Sequence, residues 1–388
     1  MYQRLSNLLK SNSFFLFGPR GCGKTSLIKK QFKGLKTLWL DLLEEDLYRQ
    51  YLIHPEELLQ LDYSSYEWVV IDEVQRVPAL LNHVHKMLES GVDIKFALTG
   101  SSSRKLKREG ANLLAGRAFE NHLHPLTYIE LGEDFKLIDI LNWGSLPKIF
   151  SLKGEPEKQA FLRTYVNTYI KNEIKEEQVV RKLEPFVKFL EVAAQMNGKI
   201  LNYAKIGRDC GVDSKGVERY FEILTDTLLG FYLEPFHQSV RKRQSQKSKF
   251  YFFDLGVKRS LERTLNISIS EQTYAFGDAF EHFFILECFR LNDYYLKDFR
   301  FSYLRTKDDF EIDLIIDRPG LKRLFIEIKS TTHLDQIEVN KYKRIKKDLG
   351  DVELWFVTRE KLKRTLDGFK ILPWKEALKN LFTDSESI

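Results

Sequence analysis

The sequence predicts an α/β protein built from several domains, on three observations. At 388 residues the chain is longer than one ordinary core organises. Short continuous apolar runs recur in its amino-terminal third, each ending in glycine, acidic or hydroxyl residues, as buried parallel strands do. The middle turns helical and charged, and strand-like segments return towards the carboxyl terminus.

Composition narrows the class. Apolar residues make up 43% of the chain, yet no run approaches the length of a membrane span, so no membrane partner is expected. Met1-Tyr-Gln-Arg-Leu-Ser-Asn lacks the apolar stretch and cleavage site of a leader, which makes the cytoplasm the expected location. Cys22, Cys210 and Cys288 lie too far apart for a disulfide framework or a tight zinc cluster. The net charge of +6 is modest, but basic residues gather from Arg241 to Lys249 and from Lys341 to Lys347. Local basic surface therefore means more than the average.

Phe14-Phe-Leu-Phe17 reads as a buried strand, and Ser26-Leu-Ile-Lys-Lys-Gln-Phe32 as a helix. Between them stands GPRGCGKT, a P-loop pattern in the strand–loop–helix context it requires. Gly18, Gly21 and Gly23 let the backbone wrap phosphate oxygens, the helix start directs amides at the anion, and Lys24 reaches the terminal phosphates. The expected contacts with ATP are Gly18, Pro19, Arg20, Gly21, Cys22, Gly23, Lys24, Thr25 and Ser26, with Thr25 on Mg2+. An ordinary glycine turn ahead of a helix is the competing reading.

Trp68-Val-Val-Ile71 ends in Asp72-Glu73, the pattern of a Walker B strand. Asp72 is expected to hold magnesium and Glu73 to polarise the attacking water, which points to hydrolysis beyond binding. The alternative is a pair of solvated acids at a strand end. Ile94–Leu98 is another strand, ending in Thr99-Gly-Ser-Ser102, where Ser101 is the candidate contact to the terminal phosphate or the water; a Ser/Gly turn accounts for it too. With Leu38-Trp-Leu-Asp41 as a further strand, residues 1–130 form a parallel sheet wrapped by helices, with nucleotide at the carboxyl ends of the strands.

GPRGCGKT, VVIDEVQRVP, LTGSSSRKL and LAGRAFENHLHPLTYIEL together resemble a bacterial and archaeal family of AAA-type ATPases, in which the P-loop domain precedes a winged helix and a nuclease-like domain of unknown function. The resemblance covers most of the chain. It implies that Arg117 contacts nucleotide or a neighbouring subunit, where a cationic finger stabilises transition-state charge; a surface ion pair is the plainer reading. No second arginine of the sensor type stands out, which leaves a homo-oligomer admitted but not required.

Residues 131–185 read as a helical connector and 186–260 as a winged helix. Tyr203–Cys210, the turn Gly211-Val-Asp213 and Ser214–Leu224 form a helix-turn-helix pattern, in which Ser214, Lys215 and Arg219 would face DNA. Strand-like Leu229–Leu233 and Lys249–Phe253 flank a basic segment, as a wing would. A helical module packed between domains, with a solvated charged loop, is the alternative.

In residues 261–388, Gly277–Glu287 reads as a helix with one apolar face. Phe310-Glu-Ile-Asp313 and Phe325-Ile-Glu327-Ile-Lys329 follow as strands, with thirteen residues between Asp313 and Glu327. That order is the spacing of a restriction-endonuclease-like α/β core, with Asp313 and Glu327 side by side and Glu327 and Lys329 on one face. The two carboxylates would hold Mg2+, Glu281 would add a third acid and Lys329 would orient water. Solvent-facing charges on an amphipathic sheet are the competing reading. The expected function is an ATPase coupled to nucleic acid, DNA favoured, with metal-dependent cleavage as a further step; the rival is a signalling or scaffold ATPase whose later domains bind proteins.

Overall fold

The computed structural model describes residues 2–102, 114, 116–170, 183–236, 247–306, 310–349 and 352–383. Strands β1 (Ser13–Phe17), β2 (Thr37–Asp41), β3 (Trp68–Asp72), β4 (Lys95–Gly100) and β5 (Ala118–His122) form a five-stranded sheet in the order β2-β3-β4-β1-β5. Every pairing in it is parallel. The central strands β1 and β3 are buried along their whole length, which is why they read as unbroken apolar runs. Helices α1 (Lys24–Gln31), α2 (Glu45–Ile53) and α3 (Leu80–Glu89) connect the strands. Apolar cores fill both faces of the sheet, one around Phe15, Ile71 and Leu98 and the other around Phe14, Val70 and Trp68.

Beyond this sheet come α4 (Tyr128–Leu131), α5 (Leu137–Trp143), α6 (Gly154–Thr164), α7 (Leu183–Gln195), α8 (Tyr203–Cys210) and α9 (Ser214–Asp226). Gly211 ends α8 at φ 72°, and Asp213 caps α9 by accepting the Gly216 amide at 2.7 Å, the glycine turn and capped second helix that the sequence implies. Strands β6 (Gly230–Pro235) and β7 (Lys249–Phe252) pair antiparallel, as expected for a hairpin. Most of its basic tip lies outside the described residues.

The chain continues through α10 (Leu255–Leu261), α11 (Tyr274–Tyr294), β8 (Arg300–Arg305), β9 (Glu311–Asp317), β10 (Leu324–Ile328), α12 (Gln336–Leu349), β11 (Glu353–Thr358), β12 (Arg364–Leu366), β13 (Phe369–Pro373) and α13 (Trp374–Phe382). Its second sheet runs β12-β13-β11-β10-β9-β8-β6-β7. Glu234 and Pro235 of β6 pair with Ser302 and Tyr303 of β8, so one sheet crosses from the hairpin into the carboxyl-terminal strands. The connector is divided as well. Leu126 to Leu141 pack in the core around α11, whereas Trp143 to Val166 pack with α7, α9 and β7.

Helix α11 corrects the expectation of one apolar face. Phe276, Phe280, Phe283, Phe284, Ile285, Leu286, Cys288 and Leu291 are buried all round it, because the sheet, α5 and α13 enclose it. Two buried charges sit among them. Arg290 donates to the Leu126 carbonyl at 3.2 Å, Ser145 Oγ at 2.9 Å and the Phe253 carbonyl at 2.9 Å, and meets Glu287 at 3.3 Å. Glu287 also accepts the Tyr128 amide at 3.0 Å, and burial pushes its carboxyl up to about 7. Beside them Gly144, at φ 72°, lies where a Cβ would come within 2.1 Å of Asp254 Oδ1. That carboxylate is fixed by the Ser145 and Val257 amides, so the chain passes only as glycine.

Candidate functional site

The P-loop joins β1 to α1 at the carboxyl edge of the parallel sheet. Gly23 is left-handed at φ 99° immediately before α1, and a Cβ on Gly18 would lie 2.2 Å from the Leu123 carbonyl oxygen. Both positions therefore require glycine. Lys24 is buried and turns back into the loop, donating to the Gly18 carbonyl at 2.9 Å and standing 3.8 Å from Glu73. Ser26 is exposed on the first turn of α1, and the Arg20 carbonyl accepts from Tyr165 Oη at 2.8 Å.

Asp72 and Glu73 lie against this loop. Thr25 Oγ1 donates to Asp72 Oδ2 at 2.7 Å, and Thr99 Oγ1 donates to the other carboxylate oxygen. Burial raises the Asp72 carboxyl, and these two hydroxyls work against that rise. Glu73 occupies the left-handed region at φ 58°, a conformation that costs a non-glycine residue about 1 kcal/mol or more. Its amide donates to Thr99 Oγ1 at 2.9 Å, which helps fix the turn. Its carboxylate accepts from Gln75 Nε2 at 2.5 Å and Ser101 Oγ at 3.2 Å. Burial opposes the charge on Glu73, but Lys24, Gln75, Arg20 and Ser101 more than offset it and hold the carboxyl below its ordinary range. Gln75 Oε1 is buried with no hydrogen-bond partner among the described residues, an acceptor open to a water beside Glu73.

Lys24, Thr25, Asp72, Glu73 and Ser101 are thus gathered in one place. Ammonium, loop amides, hydroxyl and carboxylate make the donor set of a phosphate and a hard, oxygen-bound cation, so ATP and Mg2+ suit the residues present. Arg117 is placed elsewhere. It precedes β5, whose Ala118 pairs with Ser13 at the start of β1, roughly 15 Å along the sheet from the P-loop. There it pairs with Glu89 at 3.0 Å on the surface, which separates it from nucleotide on its own chain.

Several neighbours escaped the sequence reading. A cavity of about 630 Å3 opens beside Gly23 and Ser26, walled by Tyr2, Leu126, Pro147 and Phe150, with a volume that suits a nucleotide base. Arg4 closes one side of it. Its guanidinium donates to the Cys22 carbonyl at 2.7 Å, the His124 carbonyl at 2.5 Å and Tyr294 Oη at 3.1 Å, and pairs with Glu130 at 2.8 Å. Tyr294 ends α11, so the P-loop is tied through Arg4 to the carboxyl-terminal part of the chain. Thr99 and Gln75 were legible within LTGSSS and DEVQ as polar residues beside the motif; Arg4 and Tyr2, more than a dozen residues before it, carried no local signal.

A second polar cluster lies in the later sheet. Asp313 and Glu327 follow directly on the Leu314–Ile326 pair of β9 and β10, and Asp313 Oδ2 accepts the Ile328 amide at 2.7 Å. Lys329 Nζ meets Glu327 Oε1 at 2.7 Å. Glu281 of α11 accepts from Tyr251 Oη at 2.6 Å and lies 3.6 Å from Lys249 Nζ. Burial, Glu327 and Glu281 push the Asp313 carboxyl well above its ordinary range. Among the described residues, no three carboxylate, imidazole or thiol side chains converge to hold a metal ion, so the expected set of Glu281, Asp313 and Glu327 is adjacent without forming a cage. No described helix is long and apolar enough to cross a membrane.

Residues 10–132 match the AAA domain family, residues 134–270 a domain of unknown function (DUF8612) and residues 276–377 a further domain of unknown function (DUF4143). An uncharacterized protein of Mycobacterium tuberculosis is 28% identical over 323 residues, which cover 82% of this chain and 70% of that protein. One of Methanocaldococcus jannaschii is 23% identical over 376 residues, covering 88% and 81%, and one of Haemophilus influenzae 22% over 257 residues, covering 55% and 64%. The chain carries an AAA domain of P-loop ATPase type and, towards its carboxyl terminus, a DUF4143 domain.

If the cavity beside Gly23 receives the base, Tyr2→Ala and Phe150→Ala will each weaken ATP binding by about 1–3 kcal/mol, the worth of an aromatic contact to a base. Pyrophosphate affinity should stay unchanged. Calorimetric titration checks this, and parent-like ATP affinity in both variants would place the base elsewhere.

Proposed function

We propose that this protein is a magnesium-dependent ATPase. The observation that carries the reading is the meeting of Lys24, Thr25, Asp72 and Glu73 at one end of the parallel sheet. The loop amides and Lys24 would bind the phosphates, with Lys24 exchanging the Gly18 carbonyl for a phosphate oxygen. Thr25 and Asp72 would hold Mg2+, which when bound neutralises charge on the phosphates. Glu73 is kept ionised by Lys24 and aimed by Gln75 and Ser101, so it can orient a water and accept its proton. Ser101 would report the terminal phosphate through the same carboxylate. Arg117 enters this reading only towards a neighbouring copy of the chain.

Lys24→Ala should weaken Mg-ATP binding tenfold or more and lower turnover at least a hundredfold, about 3 kcal/mol of barrier. Titration and phosphate release check this. A folded parent that neither binds nor turns over ATP would sink the proposal.

A second reading adds nucleic acid. Helices α7 to α9 with the β6–β7 hairpin are read as a winged helix, and the β8–β11 strands with α11 and α12 as a restriction-endonuclease-like core. Exposure of Ser214, Lys215 and Arg219 at the start of α9 supports DNA contact, and the proximity of Asp313, Glu327 and Lys329 supports metal-dependent cleavage. The described lysines of α12 favour it less, since Lys341 pairs with Glu338 and Lys343 with Asp367. Retention of duplex DNA on a filter at low salt, falling steeply as salt rises, is the expected outcome. No retention of DNA or RNA at low salt would leave the scaffold reading, in which these modules bind proteins.

A further inference from the structure

The acidic cluster of the later sheet contains a cation of its own, and it comes from outside the strands and helix that supply the acids. Lys249 begins β7, the second strand of the hairpin, and its side chain is 3% exposed. Its ammonium forms an ion pair with Glu311, the first residue of β9, and lies 3.6 Å from Glu281 Oε1. The Tyr303 ring closes another side at 5.2 Å. Tyr251, two residues on and therefore on the same face of β7, donates to that same Glu281 oxygen at 2.6 Å. Two side chains of one strand thus approach one oxygen, Oε1, of the carboxylate that a third metal ligand would have to offer.

The remaining acids are arranged to match. Asp313 feels both Glu281 and Lys249, and one of its oxygens is taken by the Ile328 amide. Glu327 is 4% exposed; its Oε1 is held by Lys329, whereas its Oε2 is buried without a hydrogen bond among the described residues, although the Tyr342 hydroxyl faces the same carboxylate. A buried carboxylate oxygen with no partner is costly, and it marks the direction from which a cation would be accepted. The cluster therefore has an open acceptor at Glu327 and a resident ammonium at Glu281 and Glu311.

We propose that Lys249 is an internal counter-cation that stands beside Glu281 and Glu311 in place of a divalent metal and so keeps this site closed to metal in the free chain; the cleavage reading then requires nucleic acid to draw Lys249 away. The assignment rests on reading Asp313 and Glu327 as a cation site, and does not require that the site cleave anything. Burial works against the charge of Lys249, but Glu281, Asp313 and Glu311 more than offset it and raise its amine above the ordinary range, so the ammonium stays charged where it is. Glu311 and Glu281 flank the ammonium on two sides and the Tyr303 ring on a third, and a hard dication would need Glu281 and Asp313 to turn inward together against the charge of Lys249. Removing the ammonium while keeping the apolar stem, as in Lys249→Met, leaves the half-buried carboxylates of Glu281 and Glu311 without compensation, and these then recruit a cation from solution.

The test is a titration of the full chain with Mn2+, without nucleotide, followed by electron paramagnetic resonance of the free ion. Parent, Asp313→Asn, Lys249→Met and the double variant are compared. Parent and Asp313→Asn are expected to bind alike, with no site that depends on Asp313. Lys249→Met should gain one site at least tenfold tighter than anything in the parent, and the double variant should lose it. A parent that binds Mn2+ through Asp313 as tightly as Lys249→Met overturns the assignment, and so does a folded Lys249→Met that gains no site. Should Lys249→Met fail to fold, parent against Asp313→Asn still decides: an Asp313-dependent site in the parent contradicts the proposal and its absence supports it. A Lys249→Met protein that binds Mn2+ but leaves DNA intact would end the cleavage reading while this one stands, and loss of ATP turnover bears on neither.

Discussion

The buried guanidinium of Arg290 is the contact on which the packing of the later chain depends. It reaches the Leu126 and Phe253 carbonyls and the Ser145 hydroxyl, on three separate segments of the chain, and balances Glu287 on its own helix. Removing one partner of such a buried pair leaves the other uncompensated, at a cost of about 3–5 kcal/mol. Glycines at 144 and 256 let the backbones close around it, since a Cβ at either would lie 2.1 Å from a neighbouring oxygen. The connector, the hairpin and α11 are therefore locked into one arrangement.

Helix α11 carries the acidic cluster at Glu281 and, about 20 Å further along its axis, Tyr294 at the P-loop side. Arg4 is the joint at that end, holding Cys22 of the loop, His124 after β5 and Tyr294 together. Tyr165 reaches the Arg20 carbonyl from the helical connector. Both contacts end on P-loop carbonyls, so the backbone that would wrap a triphosphate is braced by the rest of the chain. The chain also supplies the counter-charges: Lys24 to Glu73 in the first sheet, Lys249 and Lys329 to the acids of the second.

What the sequence made legible follows the range of the interactions involved. Phosphate binding by a loop is a local demand, and so is a metal-binding acid at a strand end; GPRGCGKT and IDE therefore announced Lys24, Thr25, Asp72 and Glu73 with their strands. The β9 and β10 register was readable for the same reason, because alternation fixes which residues share a face. Strand β5 was missed because, as a half-exposed edge strand, it carries no unbroken apolar run. Helix α11 was read as one-sided because burial on every face is decided by the sheet, α5 and α13 around it. Arg4 and Tyr2 act far from their positions in the chain, and nothing in their immediate neighbours marks them; Lys249 was legible only as the end of a basic run, not as a partner of Glu281 and Glu311. Arg117 shows the opposite case, a residue prominent in a motif that folds to the far end of its strand.

On the proposed mechanism Glu73 serves hydrolysis and not ATP binding. The most direct measurement is ATP affinity and single-turnover hydrolysis in Glu73→Gln, which keeps the shape of the side chain and its contacts to Gln75 and Ser101 while removing the charge. Parent-like affinity with hydrolysis slowed at least a hundredfold is the predicted result. Hydrolysis at the parent rate would contradict it.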